Sequence, residues 1–365
     1  EIYTLSLHDA LPISCGFAAR SIVDNICAVS GRSVLSEYQK NLYDRYGIFA
    51  LRGDDALLTR LAKFYVSGSL ITGRALVRAA LVKLDASAES YPALDIEAFG
   101  RQVRKLAPGA VLTRGRLLEY ILGNSGDGSV PAYADPAEVP DASGDFDAAE
   151  EAEKSFKRDK DRNKGQKISG TVYRALPSKL LGYSKRISLL FSGGIKDISF
   201  SALAEDEYMI AMCSNTLNTK NDSFLECEIE YILYGNDSDA ANRKALKMSL
   251  FTLRFAVNEV KYVSESGELL ISTAEAFAVS LSEVRTLLSG GRIDGLDLDM
   301  YLRLLLALLP RGEKLARLMD IMELNIRLID NANFAFKNYA YGFDLNATFL
   351  LKKRIGDVSQ IHIYK

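Results

Sequence analysis

The sequence predicts an α+β fold, with a long N-terminal stalk helix followed by a mixed head in which a sheet built from distant strands packs with several helices. Three observations predict it. Apolar or small residues recur at three- and four-residue spacing from Ala19 through Ile22, Ile26, Val29 and Leu42 to Tyr46, the period of a helix. Near the other end, Tyr339, Tyr341, Phe343, Leu345, Ala347, Phe349 and Leu351 occupy every second position, the period of a strand. Between them lie mainly helical patterns, so strands from both ends must meet in one sheet.

The elements follow in chain order. The first helix is read as continuous from Ala18 to Tyr46 and stopped by Gly47; at 1.5 Å per residue it reaches roughly 40 Å. That is long enough for a stalk, and an ordinary amphipathic helix lying on a sheet fits the same pattern. The apolar run Ile48 to Leu51 reads as a strand, and Asp54 or Asp55 caps the next helix. Val82, Leu84, Ala86 and Ala88 alternate with polar residues in a half-buried strand that Pro92 ends. Asp95 caps a helix with Ile96, Phe99, Val103 and Leu106 on one face, and another helix is expected from Thr113 to Leu122.

Residues 124–168 differ in kind. Nine acidic and no basic residues lie between Asp127 and Glu153, and seven basic against two acidic follow from Lys154 to Lys167. So few apolar groups do not offset chain entropy, and the segment reads as a disordered charged linker. Beyond it, Leu225, Cys227, Ile229, Tyr231 and Leu233 alternate with Glu226, Glu228 and Glu230, the pattern of a strand with an acidic face. Helices are then expected at Ala240–Val263, Thr273–Leu288 and Asp299–Ile329, the last broken near Pro310 and Gly312.

Composition excludes several functions. The 365 residues carry a formal net charge of −2, so there is no basic field of the kind that general nucleic-acid binding needs. Two histidines, His8 and His362, leave histidine catalysis and histidine metal sites short of parts. The four cysteines, Cys15, Cys27, Cys213 and Cys227, form no CxxC motif. Cys213 and Cys227 are open to two readings, a disulfide between neighbouring strands or two inert buried thiols. No apolar run of about 18 residues is present to span a bilayer.

Candidate chemistry is thin. The segment around Ser192, Gly193 and Gly194 is similar to a phosphate-binding loop, but Lys196 and Ile198 spoil its spacing, leaving a turn as the better reading. Asp237 with Asp239, and Asp294 with Asp297 and Asp299, offer oxygens to a hard cation. They lack the ordered spacing and terminal Glu of a calcium loop, and helix capping explains them. Glu228 and Glu230 share one face of the expected strand as a carboxylate dyad would, but a solvated or salt-bridged strand face explains them more cheaply, and no flanking pattern suggests a glycosidase site. No catalytic residue, cofactor or metal site is assigned.

Two resemblances add to this. Residues 1–14, EIYTLSLHDALPIS, resemble the conceptual translation of a sequencing adapter and are set aside; the expectation is that a membrane segment preceding Cys15 has been lost. The segments SGRSVLSEYQKNLYDRYGIFAL (30–51), DIEAFGRQVRKLAP (95–108), FLECEIEYILYGNDSDAANRKAL (224–246), FAVSLSEVRTLLSGGRI (277–293) and MYLRLLLALLPRGEKLARLMDIMELNIR (300–327) resemble an uncharacterised family of bacterial single-pass membrane proteins. These are encoded beside tight-adherence (Tad) pilus machinery and related in layout to the TadE and TadG pseudopilins. The resemblance implies a non-enzymatic, extracytoplasmic, membrane-anchored component serving pilus assembly or adhesion. Its implied partners are other pilus or envelope proteins and the membrane, with no nucleic acid. On this reading the chain is divided into 1–14, stalk 15–46, head 47–123, linker 124–168 and head 169–365. An envelope scaffold or ligand-binding domain of another system, and an envelope hydrolase, are the alternatives.

Overall fold

The structure, a computed structural model, describes residues 2–73, 79–107, 200–220, 223–266, 269–329, 332–351 and 354–363. The helix expected at Thr113–Leu122, the charged segment 124–168 and the Ser192–Gly194 loop lie outside these residues. The chain is α+β and divides into two units, Glu1–Gln102 with Ala332–Lys365, and Val103–Asn331.

The first unit joins both ends of the chain. It holds α1 (Ile2–Leu35), α2 (Lys40–Tyr46), β1 (Leu51–Arg52), α3 (Asp55–Gly73), β2 (Ala79–Ser87), the start of α4 (Ile96–Leu106), β3 (Tyr339–Ala340), β4 (Gly342–Leu351) and β5 (Arg354–Ile363). Two antiparallel sheets result, β1 with β3, and β2, β4, β5 in that order. The strand β4 is central because its alternation is cleanest: Phe343, Leu345, Ala347 and Phe349 are buried, while Asn346 and Leu350 are exposed. Those four join Val23, Cys27 and Val34 of α1 and Leu58, Ala62 and Val66 of α3 in one core.

Three expectations need correction here. The helix read as running from Ala18 to Tyr46 is two helices: α1 ends at Leu35, and Gln39 caps α2, which Gly47 closes at φ 68°. Ile48 to Ala50 are buried, but the ladder is confined to Leu51 and Arg52. Along β2, Val82 does not share the inward face of Leu84, Ala86 and Ala88. A bulge between Leu81 and Lys83 inserts one residue, reverses the parity and leaves Val82 61% exposed.

Local caps match the residues that set them. Asp54 accepts from the amides of Ala56 (2.9 Å) and Leu57 (3.2 Å) at the start of α3, and Asp95 does the same for Glu97 and Ala98 at α4. Asp55 instead accepts from Ser87 Oγ and the Ala88 amide, both at 2.9 Å, fastening α3 to the end of β2. Phe99 and Val103 of α4 are buried, whereas Leu106 at its end is exposed. Gln102 uses both ends of its amide on Phe49, accepting from the backbone N–H at 2.8 Å and donating to the carbonyl at 3.2 Å.

Among its described residues the second unit is helical. After the end of α4 come α5 (Phe200–Met212), α6 (Glu228–Tyr234), α7 (Asp239–Ser266), α8 (Leu269–Leu288), α9 (Leu298–Leu308) and α10 (Arg311–Ile329). The helices expected after residue 239 are present, with the predicted break falling at Leu309 and Pro310. The segment expected as a strand at 225–234 is instead α6, closed by Gly235 at φ 69°. Every residue of α6 is buried, glutamates included, so the alternation of apolar and acidic residues did not mark an inner and an outer face.

Candidate functional site

The second unit is organised around ionised side chains that have been taken out of water. Helix α5 places Glu205, Asp206 and Glu207 in succession, all buried. Successive side chains on a helix point about 100° apart, so each carboxylate meets different cations. Glu205 receives Arg104 of α4 (Nη1 to Oε1, 2.6 Å) and Arg311 of α10 (Nη2 to Oε1, 2.8 Å; Nε to Oε2, 2.9 Å). Glu207 accepts both arms of Arg303 from α9, at 2.8 and 3.2 Å. Asp206 is bonded to Lys314 of α10, and both are almost wholly buried. Burial pushes the Asp206 carboxyl up to about 6, against the opposing pull of Lys314.

A second layer holds α6. Glu228 accepts from the Ser214 amide at 2.7 Å and from the side-chain amide of Asn325, whose own oxygen accepts from the Phe224 amide at 2.6 Å. Glu230 accepts from the Thr216 amide at 2.9 Å. Its other oxygen has no partner among the described residues, and burial raises its pKa above the usual carboxylate range. At the far end of α6 the buried Arg317 donates to the carbonyls of Ile232 (2.7 Å) and Leu233 (2.8 Å). A guanidinium there satisfies orphan carbonyls and opposes the negative end of the helix dipole. A third cluster centres on Arg254 of α7, which binds Glu283 through two bonds, Asp294 Oδ2 at 3.0 Å and the Tyr301 hydroxyl at 3.1 Å.

The residues singled out from the sequence scatter into separate structural tasks. Asp297 caps α9 by accepting from the Met300 amide, Asp294 pairs with Arg254, and Asp299 accepts from Asn215. Asp239 accepts from the amides of Glu226 and Cys227, while Ser238 accepts from the Ala241 amide. No group of three or more His, Cys, Asp or Glu is placed to hold a metal ion among the described residues. Cys213 and Cys227 are separate buried thiols. Arg243 Nε lies 3.1 Å from the Cys227 sulfur, yet burial drives that thiol pKa upward, which leaves it a poor nucleophile. Glu228 and Glu230 are not a solvated strand face: both are enclosed.

The acidic triplet of α5 and its partners Arg104, Arg303, Arg311 and Lys314 are not among the residues that the sequence singles out. A signal was present. EDE interrupts the otherwise apolar FSALAEDEYMIAM, and the basic side chains of α9 and α10 recur through apolar runs. Chemically, the arrangement ties helix to helix and loop to helix. Glu230 is the carboxyl nearest in character to a general acid, but it has no exposed surface through which a substrate could reach it.

In the first unit, a cavity of about 320 Å³ is lined by Val34, Tyr38, Leu51, Leu57, Leu61 and Tyr339. Glu37, Gln39 and Arg52 supply polar groups at the same site, giving the mixed lining common to binding sites.

No curated protein and no solved structure matches the chain. Residues 163–268 and 293–351, a stretch that takes in α5 to α7, α9, α10 and β4, match a family of unknown function, DUF5702.

Proposed function

We propose that this protein is a non-enzymatic structural component of a bacterial envelope assembly of the tight-adherence pilus type, membrane-anchored and with both units outside the cytoplasm. The observation that carries this reading is the fate of the second unit's ionised groups. Glu205, Asp206, Glu207, Glu228 and Arg317 are bonded to other side chains or to backbone amides and carbonyls inside the helical core. Such pairing resists separation of the helices, because breaking one partner strands a charge in a dry site. A part that bears load in an assembly gains from that; a catalyst needs reactive groups that a substrate can reach.

The segments that resemble the pilus-associated family coincide with this framework. Residues 224–246 form α6 and the start of α7, and 300–327 form most of α9 and α10. Under the proposal, α1 serves as the link towards the membrane as well as part of the first unit's core.

The cavity beside Tyr38 and Tyr339 favours a second reading, a ligand-binding domain of another envelope system. Affinity purification of the tagged full-length protein from cross-linked envelopes separates the two. Co-purification of tight-adherence secretion and pilin proteins is the expected result. Recovery from the cytosol, or from envelopes with none of those proteins, refutes it.

A further inference from the structure

The cavity of the first unit has an apolar floor and both signs of charge on its rim. Val34, Leu51 and Leu58 are buried beneath it, whereas Glu37 and Arg52 are exposed. Its frame is tied backbone. Where α1 ends, the Glu37 amide donates to the Val34 carbonyl at 3.1 Å and the Gln39 amide donates to the Ala50 carbonyl at 2.8 Å, so that Tyr38 pairs with Leu51. Strand β1 pairs in turn with β3 and sets Arg52 directly opposite Tyr339. The Tyr38 ring leans on Phe49 with centroids 5.7 Å apart, and Tyr339 on Phe334 at 4.8 Å. One oxygen of Glu37 accepts from the Tyr65 hydroxyl at 2.6 Å, which leaves Oε2 unengaged among the described residues. The Arg52 guanidinium has neither a hydrogen bond nor an ion pair among the described residues. Two opposite charges therefore line one cavity without closing on each other.

We propose that this cavity binds a free α-amino acid with a large apolar side chain, its ammonium on Glu37, its carboxylate on Arg52 and its side chain on the floor of Val34, Leu51 and Leu58. The inference rests on the ligand-binding reading of the cavity and names the ligand. Charge complementarity carries it. A fatty acid or other simple carboxylate would leave Glu37 unmatched, an amine would leave Arg52 unmatched, and a zwitterion satisfies both. Size agrees: about 320 Å³ lies near the lower end of the range for ligand pockets, about 300–1,000 Å³, with room for one such molecule and too little for the acyl chains of a membrane lipid. Exposure divides the labour between rim and floor. Charges in water gain little from a partner, whereas each buried CH₂ raises affinity about fourfold. The floor therefore sets the affinity, and the rim sets which head group is accepted. Because the backbone frame is fixed before a ligand arrives, little is lost in ordering it.

The test is titration calorimetry on the full chain with L-phenylalanine, L-alanine, 3-phenylpropionate, which lacks the ammonium, and phenethylamine, which lacks the carboxylate. L-phenylalanine is expected to bind with a dissociation constant on the order of 0.1–1 mM. L-alanine should bind at least about tenfold more weakly, and each singly charged analogue at least about threefold more weakly. Glu37→Gln and Arg52→Gln should each weaken L-phenylalanine by about threefold or more without lowering the melting temperature, and in Arg52→Gln the preference for L-phenylalanine over phenethylamine should vanish. Leu57→Trp, which fills the cavity from a half-buried position, should abolish binding. A singly charged analogue that binds as tightly as L-phenylalanine overturns the amino-acid assignment and leaves the ligand-binding reading standing. Binding of L-phenylalanine that survives Leu57→Trp lies elsewhere and overturns the assignment to this cavity. Silence from every probe at about 10 mM overturns the proposal and the ligand-binding reading together, and none of these outcomes depends on which envelope proteins co-purify.

Discussion

Lys314 and Asp206 share a site where neither has water to fall back on. Burying two ions costs several kcal/mol each, and the pair recovers that only while both members are present. Lys314→Met is therefore expected to destabilise the second unit by about 3–5 kcal/mol near neutral pH, measured by urea denaturation, and Lys314→Met/Asp206→Leu to recover most of the loss. The proton on Asp206 has a sign that can be checked. Its folded pKa, raised to about 6 chiefly by burial and further by Glu205 and Glu207 against the pull of Lys314, lies above the ordinary value of 3.8. Between those values the folded chain holds a proton that the unfolded chain has released, so this contribution to stability falls as pH rises from about 4 to about 6. Burial raises Glu230 in the same direction. Asp206→Asn should flatten the decline; an unchanged slope in the variant would place the titrating group elsewhere.

Among elements, the helices whose ends carry their own signals were readable in advance, and the reason is local. Asp54, Asp95 and Asp297 each accept from amides in the first turn of the helix that follows, chemistry that needs no tertiary partner. Asp54→Ala is expected to cost about 1 kcal/mol in a thermal or urea melt. Gly235 is more demanding. Its φ of 69° suits glycine, and a Cβ there would sit 3.0 Å from Arg317 Nε, so Gly235→Ala should destabilise by about 1–3 kcal/mol. Introducing the same change with Arg317→Ala should relieve the clash but not the backbone strain. Local pattern misleads where a side chain's destination is non-local. Alternation at 225–234 is the pattern of a strand only if its glutamates face outward; in α6, Glu228 and Glu230 are bonded to the Ser214 and Thr216 amides instead. Val82 looked in phase with Leu84 because a bulge depends on the partner strand, and β4 lies about 270 residues away in sequence.

At the level of the whole molecule, the first unit is closed by β4, which pairs with β2 on one side and β5 on the other. Phe349→Ala should remove about 3–5 kcal/mol from that unit. Hydrogen exchange is expected to speed up in α1, α3 and β2 while amides of α9 and α10 keep their protection; uniform loss of protection would show one cooperative block. The α+β class, the sheet drawn from both ends of the chain, the helical stretch after residue 239 and the break before α10 were all determined by the sequence alone. They rest on periodicity and caps, which act within a few residues. Only the tertiary structure decided that α1 stops at Leu35 and lays Val23, Cys27 and Val34 into a core, that α6 is helical, and that the EDE triplet of α5 is a junction for four cations. Each of those depends on which distant groups surround a side chain, and charge in a sequence does not say whether water or another ion will meet it.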